Sequence, residues 1–178
     1  MYILTEFIKL VGHIYYLMLP VILGAIFNMV FVKLPILKSW RIPMDAGKTL
    51  GGKRIFGDNK TWKGFAGMIA LTALFAWLCW GRALASVWQG ALLGFAYVLS
   101  ELPNSFIKRR LGIQSGKNGG IVQTFFDQAD SVIGCIVFYP IFHPLNWKEV
   151  LGIFIIATAT HYVFNVLLFY LKLKGQKG

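Results

Sequence analysis

The chain has 178 residues, 57% of them hydrophobic, with a mean hydropathy of +0.63 and a formal net charge of +11 at pH 7. Five long apolar runs use up most of this length, so no soluble domain of any size is left over. Without a soluble reading module to present it, the positive charge is not the footprint of a nucleic-acid partner; it fits topology setting and attraction to anionic lipid.

In chain order, residues 3–11 contain Glu6 and Lys9 and read as a short interfacial lead-in. Apolar runs follow at 12–32, 64–80, 87–103, 121–142 and 150–171. Spans of ~17–22 residues at ~1.5 Å per residue match a hydrocarbon core ~30 Å thick. They predict an all-α integral membrane protein of about five transmembrane helices, organised as one membrane-embedded domain over 1–178 with two long cytoplasmic loops. Residues 64–80 and 87–99 hold no charge in any register, whereas a helix of a soluble bundle would have a polar back. The first run is too long for a signal peptide, and no basic stretch precedes it.

Between the first two spans lies DAGKTLGGKRIFGDNKTWKGF, starting at Asp45. Its glycines let backbone amides approach an anion, and Lys53, Arg54 and Lys60 add charge suited to phosphates. Gly47 to Lys53 follows most of a P-loop pattern, but Arg54 stands where Ser or Thr must hold Mg²⁺, so a P-loop is rejected. The third span contains Gly90 and Gly94 as a G-x-x-x-G pair, a helix-packing signal. Cys79 and Cys135 each lie inside an apolar run and read as packing residues. The loop assigned to 104–120 places Lys108, Arg109 and Arg110 directly after the third span. In the fifth span, Thr158, His161 and Asn165 form one stripe, read first as interhelical hydrogen bonding. His13 and His143 sit near the opposite edge with no role assigned, and three scattered His do not suggest a zinc site.

Three carboxylates lie where lipid-facing helices should have none: Glu101, Asp127 and Asp130. Asp127 and Asp130 are i, i+3 and share a helix face. Intramembrane charges at ~2.5–3.5 kcal/mol each belong in a polar cavity. One reading is an oxygen-rich Mg²⁺ site; the other is structural ion pairing, with Glu101 capping Lys108 or Arg109 and the two Asp residues holding loop cations. Residue types alone leave both open. Fifteen of the eighteen Lys and Arg fall on one side of the five spans, leaving Lys9, Arg82 and Lys148 opposite. The positive-inside rule then predicts a multi-pass cell-membrane protein with its N-terminus outside and its C-terminus and motif loops cytoplasmic.

The strings GKRIFGDNKTWKGF, ELPNSFIKRRLGI and DQADSVIG, in that order, closely resemble the CDP-archaeol synthase family, a short branch of the CDP-diacylglycerol synthase (phosphatidate cytidylyltransferase) superfamily. Larger relatives have a K-K-T-W-E-G-F-like segment, matched from Asn59 to Phe65, and S-x-x-K-R leading to D-R-x-D, matched by Ser105, Lys108, Arg109, Asp127 and Asp130. Gln128 replaces the Arg of D-R-x-D, six residues rather than two separate Gly120 from Asp127, and Glu101 stands where longer relatives have Asp. These departures favour the short branch.

The resemblance implies attack of a lipid phosphomonoester, archaetidic acid-like or phosphatidic acid-like, on the α-phosphate of CTP, giving a CDP-activated lipid and pyrophosphate. It implies Mg²⁺ held by Glu101, Asp127 and Asp130, and catalysis by Asp127, Asp130, Lys108 and Arg109. Substrates would meet Lys53, Arg54, Asp58, Asn59, Lys60, Thr61, Asn104 and Ser105. The expected partners are CTP, a membrane lipid phosphate and the bilayer, with no nucleic acid. Two alternatives stand beside it: another polyprenyl-phosphate transferase or phosphatase, active without CTP, and a membrane anion transporter, whose acids should lie mid-membrane rather than cluster at one end.

Overall fold

The computed structural model describes residues 2–117 and 119–171. Five α-helices follow one another: α1 (Tyr2–Lys33), α2 (Trp62–Trp80), α3 (Leu84–Arg110), α4 (Ile121–Phe138) and α5 (Trp147–Tyr170). A two-stranded hairpin, β1 (Thr49–Leu50) and β2 (Lys53–Arg54), decorates the loop between α1 and α2. Four of the helices are long and apolar enough to cross a membrane. The exception is α3, whose 27 residues suffice in length but whose C-terminal part carries Glu101, Asn104, Lys108, Arg109 and Arg110. Large apolar side chains point outward along the helices, Phe27, Leu74, Leu78, Ile133, Val137, Ile155 and Leu167 among them, while Thr72, Gln128, Ser131 and Asn165 are buried. A water-soluble bundle would invert this arrangement.

Small residues set the closest helix contacts. A Cβ on Gly90 would lie 2.5 Å from Ala76 Cβ, and one on Gly94 would lie 2.8 Å from the Met68 carbonyl oxygen. The G-x-x-x-G pair therefore seats α3 directly on the α2 backbone. Cys135 is fully buried in the core with Leu93, Met68 and Ile14.

Two sequence boundaries move. The lead-in at 3–11 is not separate from the first span: α1 runs unbroken from Tyr2, and its first turns, with Ile3, Leu4, Phe7 and Ile8, stand exposed. Within α1, Pro20 cannot donate to the Tyr16 carbonyl, which instead accepts the Trp80 indole N–H at 3.0 Å. Likewise Pro103 does not end the third span; α3 passes through it to Arg110. The expected loop at 104–120 thus shrinks to 111–120, and the motif residues from Glu101 to Arg109 become a helical surface. Lys172, Lys174, Lys177 and Asn118 lie outside the described residues.

Residues 34–61 and 111–120 meet at one end of the bundle, where Asn59 N donates to Ser115 Oγ at 3.3 Å. The connections 81–83 and 139–146 lie at the other. The α1 C-terminus is closed by two cations from elsewhere: Lys63 Nζ donates to the Leu34 carbonyl at 2.8 Å, and Arg41 Nη2 to the Val32 carbonyl at 2.5 Å.

Candidate active site

A cavity of about 530 Å³ opens at the end where the two long loops meet, bounded by α1, α2, α3, α4 and both loops. Its polar wall is built by helical spacing. On α3, Glu101, Asn104, Ser105 and Lys108 recur at i, i+3, i+4 and i+7; on α4, Asp127 and Asp130 line the cavity, and Gln123, one turn before Asp127 on the same face, is buried behind them. The two stripes face each other. Asn104 Nδ2 donates to Asp127 Oδ1 at 2.8 Å and to Asp130 Oδ2 at 2.7 Å, tying the carboxylates through one amide. Gln123 Nε2 donates to Asn104 Oδ1 at 2.7 Å, fixing which way that amide points, and to Asp127 Oδ1 at 3.0 Å. Lys108 Nζ meets Asp127 Oδ2 at 2.6 Å, and Asp130 Oδ1 accepts the Ser131 amide.

Glu101 pairs with Lys60, which reaches in from the loop before α2, rather than with Lys108 or Arg109. Burial disfavours the Lys60 charge, yet Glu101, with Asp130 and Asp127 behind it, raises its pKa above the ordinary lysine value. Arg109 is buried against the cavity, and its Nε has no hydrogen-bond partner among the described residues. Gly57 stands over this guanidinium with φ +95°; a Cβ there would come within 3.2 Å of Arg109 Nη1. Only glycine allows both that backbone and the cation beneath it.

Of the residues singled out from sequence, Asn59, Lys60, Thr61, Glu101, Asn104, Ser105, Lys108, Arg109, Asp127 and Asp130 all line the cavity. Thr61 is also the N-cap of α2, its Oγ1 accepting from Gly64 N at 3.2 Å. Lys53, Arg54 and Asp58 do not line it. Lys53 Nζ caps α3 at the Arg110 carbonyl (2.8 Å), and Arg110 returns hydrogen bonds to the carbonyls of Lys53 and Arg54 at 2.8 and 2.6 Å. Arg54 is committed to Asp45 (2.6 Å) and Asp58 (2.5 Å). These charges shape the loop; they do not face the cavity.

Asp45 organises the loop from inside. Its buried carboxylate accepts from Gly47 N, Phe56 N and Gly57 N as well as from Arg54 Nε and Nη2. Burial alone would raise its pKa, but Arg54 and the Gly57, Phe56 and Gly47 amides outweigh it and hold the group well below the usual carboxylate range.

The donor set facing the cavity is all oxygen, the preference of Mg²⁺, which binds through one or two carboxylates and completes its shell with water and phosphate. Asp127 and Asp130 fit that role, because the amide between them is a neutral donor that a cation can replace. Glu101 lines the same cavity without converging on them; among the described residues, the one group of three His, Cys, Asp or Glu with converging ligand atoms lies elsewhere.

Comparison with known proteins gives the family. A family model described as CarS-like CDP-archaeol synthase matches residues 7–177. The chain belongs to the CDP-archaeol synthase family. A CDP-archaeol synthase of Thermofilum pendens is 33% identical over 160 residues, covering 88% of this chain and 76% of that one. One from Archaeoglobus fulgidus is 34% identical over 148 residues, covering 74% and 82%, and one from Methanopyrus kandleri is 32% identical over 139 residues, covering 74% and 77%. A solved structure of an intramembrane enzyme for archaeal membrane lipid biosynthesis superposes with TM-score 0.63 at 24% identity, covering 85% of this chain and 92% of the other, which supports the shared fold.

Within this CDP-archaeol synthase-family chain, the residues that sequence reasoning passed over are mostly supports. Gln123 orients Asn104, Asp45 anchors the glycine-rich loop, and Asn28 of α1 donates to the Gly64 carbonyl at 3.0 Å beneath the cavity. Ser115 and Lys117 line the cavity from the second loop. Gln123 carried a readable signal, lying four residues before Asp127 on the same face. Of the Thr158, His161, Asn165 stripe, two members reach across helices: His161 bonds Tyr97 Oη and the Gln128 carbonyl at 3.2 Å each, and Asn165 donates to Gln128 Oε1, while Thr158 Oγ1 has no hydrogen-bond partner among the described residues.

Proposed function

We propose that this chain is a Mg²⁺- and CTP-dependent cytidylyltransferase that converts a lipid phosphomonoester of the archaetidic acid type to its CDP-activated form. The observation that carries this reading is one cavity holding Glu101, Asp127 and Asp130 against Lys60, Lys108 and Arg109 at the end of helices long enough to cross a membrane.

In the reaction, an oxygen of the lipid phosphate attacks the α-phosphorus of CTP. A new P–O bond forms as the bond to the α–β bridging oxygen breaks, and pyrophosphate leaves with the electron pair. Such transfer requires alignment and charge neutralisation rather than a protein nucleophile. Lys60, Lys108 and Arg109 clamp the two phosphate groups, and a phosphate oxygen gives the Arg109 Nε the acceptor it lacks among the described residues. Asp127 and Asp130 would hold Mg²⁺, with Glu101 on the wall of the same cavity. When bound, that ion neutralises charge on the phosphate oxygens. Asn104 and Gln123 keep the two Asp carboxylates turned into the cavity. Val98, Leu102, Met29 and Val32 continue the wall in apolar form, where the start of a lipid chain can lie. The basic cavity end faces the cytoplasm, and the N-terminus lies outside.

Two experiments test this. With CTP labelled at the α-phosphate, label should enter the lipid fraction; with γ-labelled CTP it should not. Label entering lipid from the γ position would identify a kinase instead. For sidedness, a single cysteine at Ser115, in a background lacking Cys79 and Cys135, should resist an impermeant reagent on intact cells. Labelling from outside would reverse the topology.

A further inference from the structure

At the end of the bundle away from the cavity, His13 of α1, His143 of the α4–α5 connection and Glu149 of α5 come together. One candidate ligand atom from each lies within 4.8 Å of the other two. His13 Nε2 is 3.0 Å from Glu149 Oε1, and the two imidazole rings stand 6.2 Å apart, inclined at 55°. From this geometry we infer a second metal site, a two-histidine, one-carboxylate centre for Zn²⁺ or a similar borderline transition metal.

Each ligand is held by something else in the fold. Glu149 is buried, and its Oε2 accepts the Asn146 amide at 2.8 Å in the capping box that starts α5, leaving Oε1 turned toward the histidines. His143 packs edge-on against Tyr139, ring centroids 5.7 Å apart, so its plane is fixed by a buried aromatic. His13 sits one residue before Ile14, a fully buried core residue that packs against Gly152 of α5. The three ligands therefore start from three separately anchored segments, and little ordering remains for a metal to impose.

The donor types select the ion. Two neutral imidazoles and a carboxylate suit Zn²⁺, with a fourth position left for water, whereas Mg²⁺ prefers oxygen alone. The site is thus chemically distinct from the all-oxygen cavity at the opposite end. Bound there, a metal would clamp α1 to α5 just where α1 leaves the bundle and its exposed N-terminal turns begin. This inference does not rest on the proposed cytidylyltransferase reaction.

The test uses the full-length protein in detergent, stripped with chelator and kept in excess Mg²⁺ so that the carboxylate cavity does not compete. Zn²⁺ titrated by calorimetry should bind with a stoichiometry of one per chain and raise the thermal unfolding temperature. Co²⁺ in its place should give the intense visible bands of a tetrahedral site. His143→Asn should weaken Zn²⁺ binding by about 100-fold or more, as should His13→Gln, each variant still folding with the midpoint of the metal-free wild type. Asp127→Asn should leave Zn²⁺ affinity unchanged. Zn²⁺ affinity that survives the His13→Gln, His143→Asn double substitution would overturn the inference, as would the absence of saturable binding to the wild type.

Discussion

Asp127 and Asp130 sit one turn apart on α4 and share the Asn104 amide, yet their surroundings predict opposite stability effects for the same substitution. Asp127 is surrounded by donors: Lys108 at 2.6 Å, Asn104 at 2.8 Å and Gln123 at 3.0 Å. Asp127→Asn keeps the size but leaves the Lys108 ammonium without its counter-charge. Breaking a fully buried pair costs ~3–5 kcal/mol. Here the Lys108 and Asp127 side chains are 14% and 27% exposed, so water screens part of the loss and about 1–3 kcal/mol is expected. Among the described residues, Asp130 accepts from Asn104 and the Ser131 amide, with no cation bonded to it directly, and Glu101, a like charge held by Lys60, lines the same cavity. Asp130→Asn relieves that repulsion, so stability should hold or rise. If both carboxylates serve the metal and the phosphates, turnover should fall by roughly 10²–10³ or more in each variant. Thermal unfolding in detergent and turnover measured on the same preparations separate the two effects. An Asp127→Asn protein with near-normal turnover, or an Asp130→Asn protein less stable than Asp127→Asn, would refute the reasoning.

Asp45→Asn should cost about 1.5–3 kcal/mol by weakening charge-assisted hydrogen bonds at the loop's centre, and should raise KM more than it lowers kcat; limited proteolysis within 46–57 reports the loosened loop. Because the folded-state pKa of Asp45 is depressed, its contribution is present above the unfolded value of 3.8 and is lost only as pH falls through the lower folded value. The same proteolysis should therefore be no faster at pH 5 than at pH 7. Lys60→Ala should lower kcat/KM by at least about 10-fold, with KM affected because the cation meets phosphates before and during reaction, while Lys53→Ala should stay near wild type in steady-state assays. Gly90→Leu should overpack the α2–α3 contact and cost at least ~1–3 kcal/mol, read as a lower unfolding midpoint.

Much of the helical layout was legible because apolar runs of membrane length leave few alternatives, and the Gly90–Gly94 spacing marked a close helix contact whose partner, α2, only the packing discloses. Pro103 misled, since a proline inside an apolar pattern signals a helix end; α3 continues because its neighbours hold it, and the continuation turns scattered motif letters into one stripe from Glu101 to Lys108. Lys53 and Arg54 have the right chemistry for phosphates, but their positions depend on a hairpin that pins them to Arg110 and Asp45, a tertiary fact that no spacing discloses. Glu101 finding Lys60, 41 residues away, rather than Lys108 two helical turns along the same helix, has the same origin. His13, His143 and Glu149 are brought together only by the packing of α1 on α5.

The central claim is cytidylyl transfer, and a nucleotide panel tests it most directly. Purified protein, a lipid phosphomonoester and Mg²⁺ are given CTP, dCTP, ATP or GTP in turn, and pyrophosphate release is followed with each. CTP, with dCTP beside it, should be used far better than ATP or GTP, and activity should vanish in chelator and return with Mg²⁺. Equal turnover of ATP, or full activity in chelator, would contradict the account.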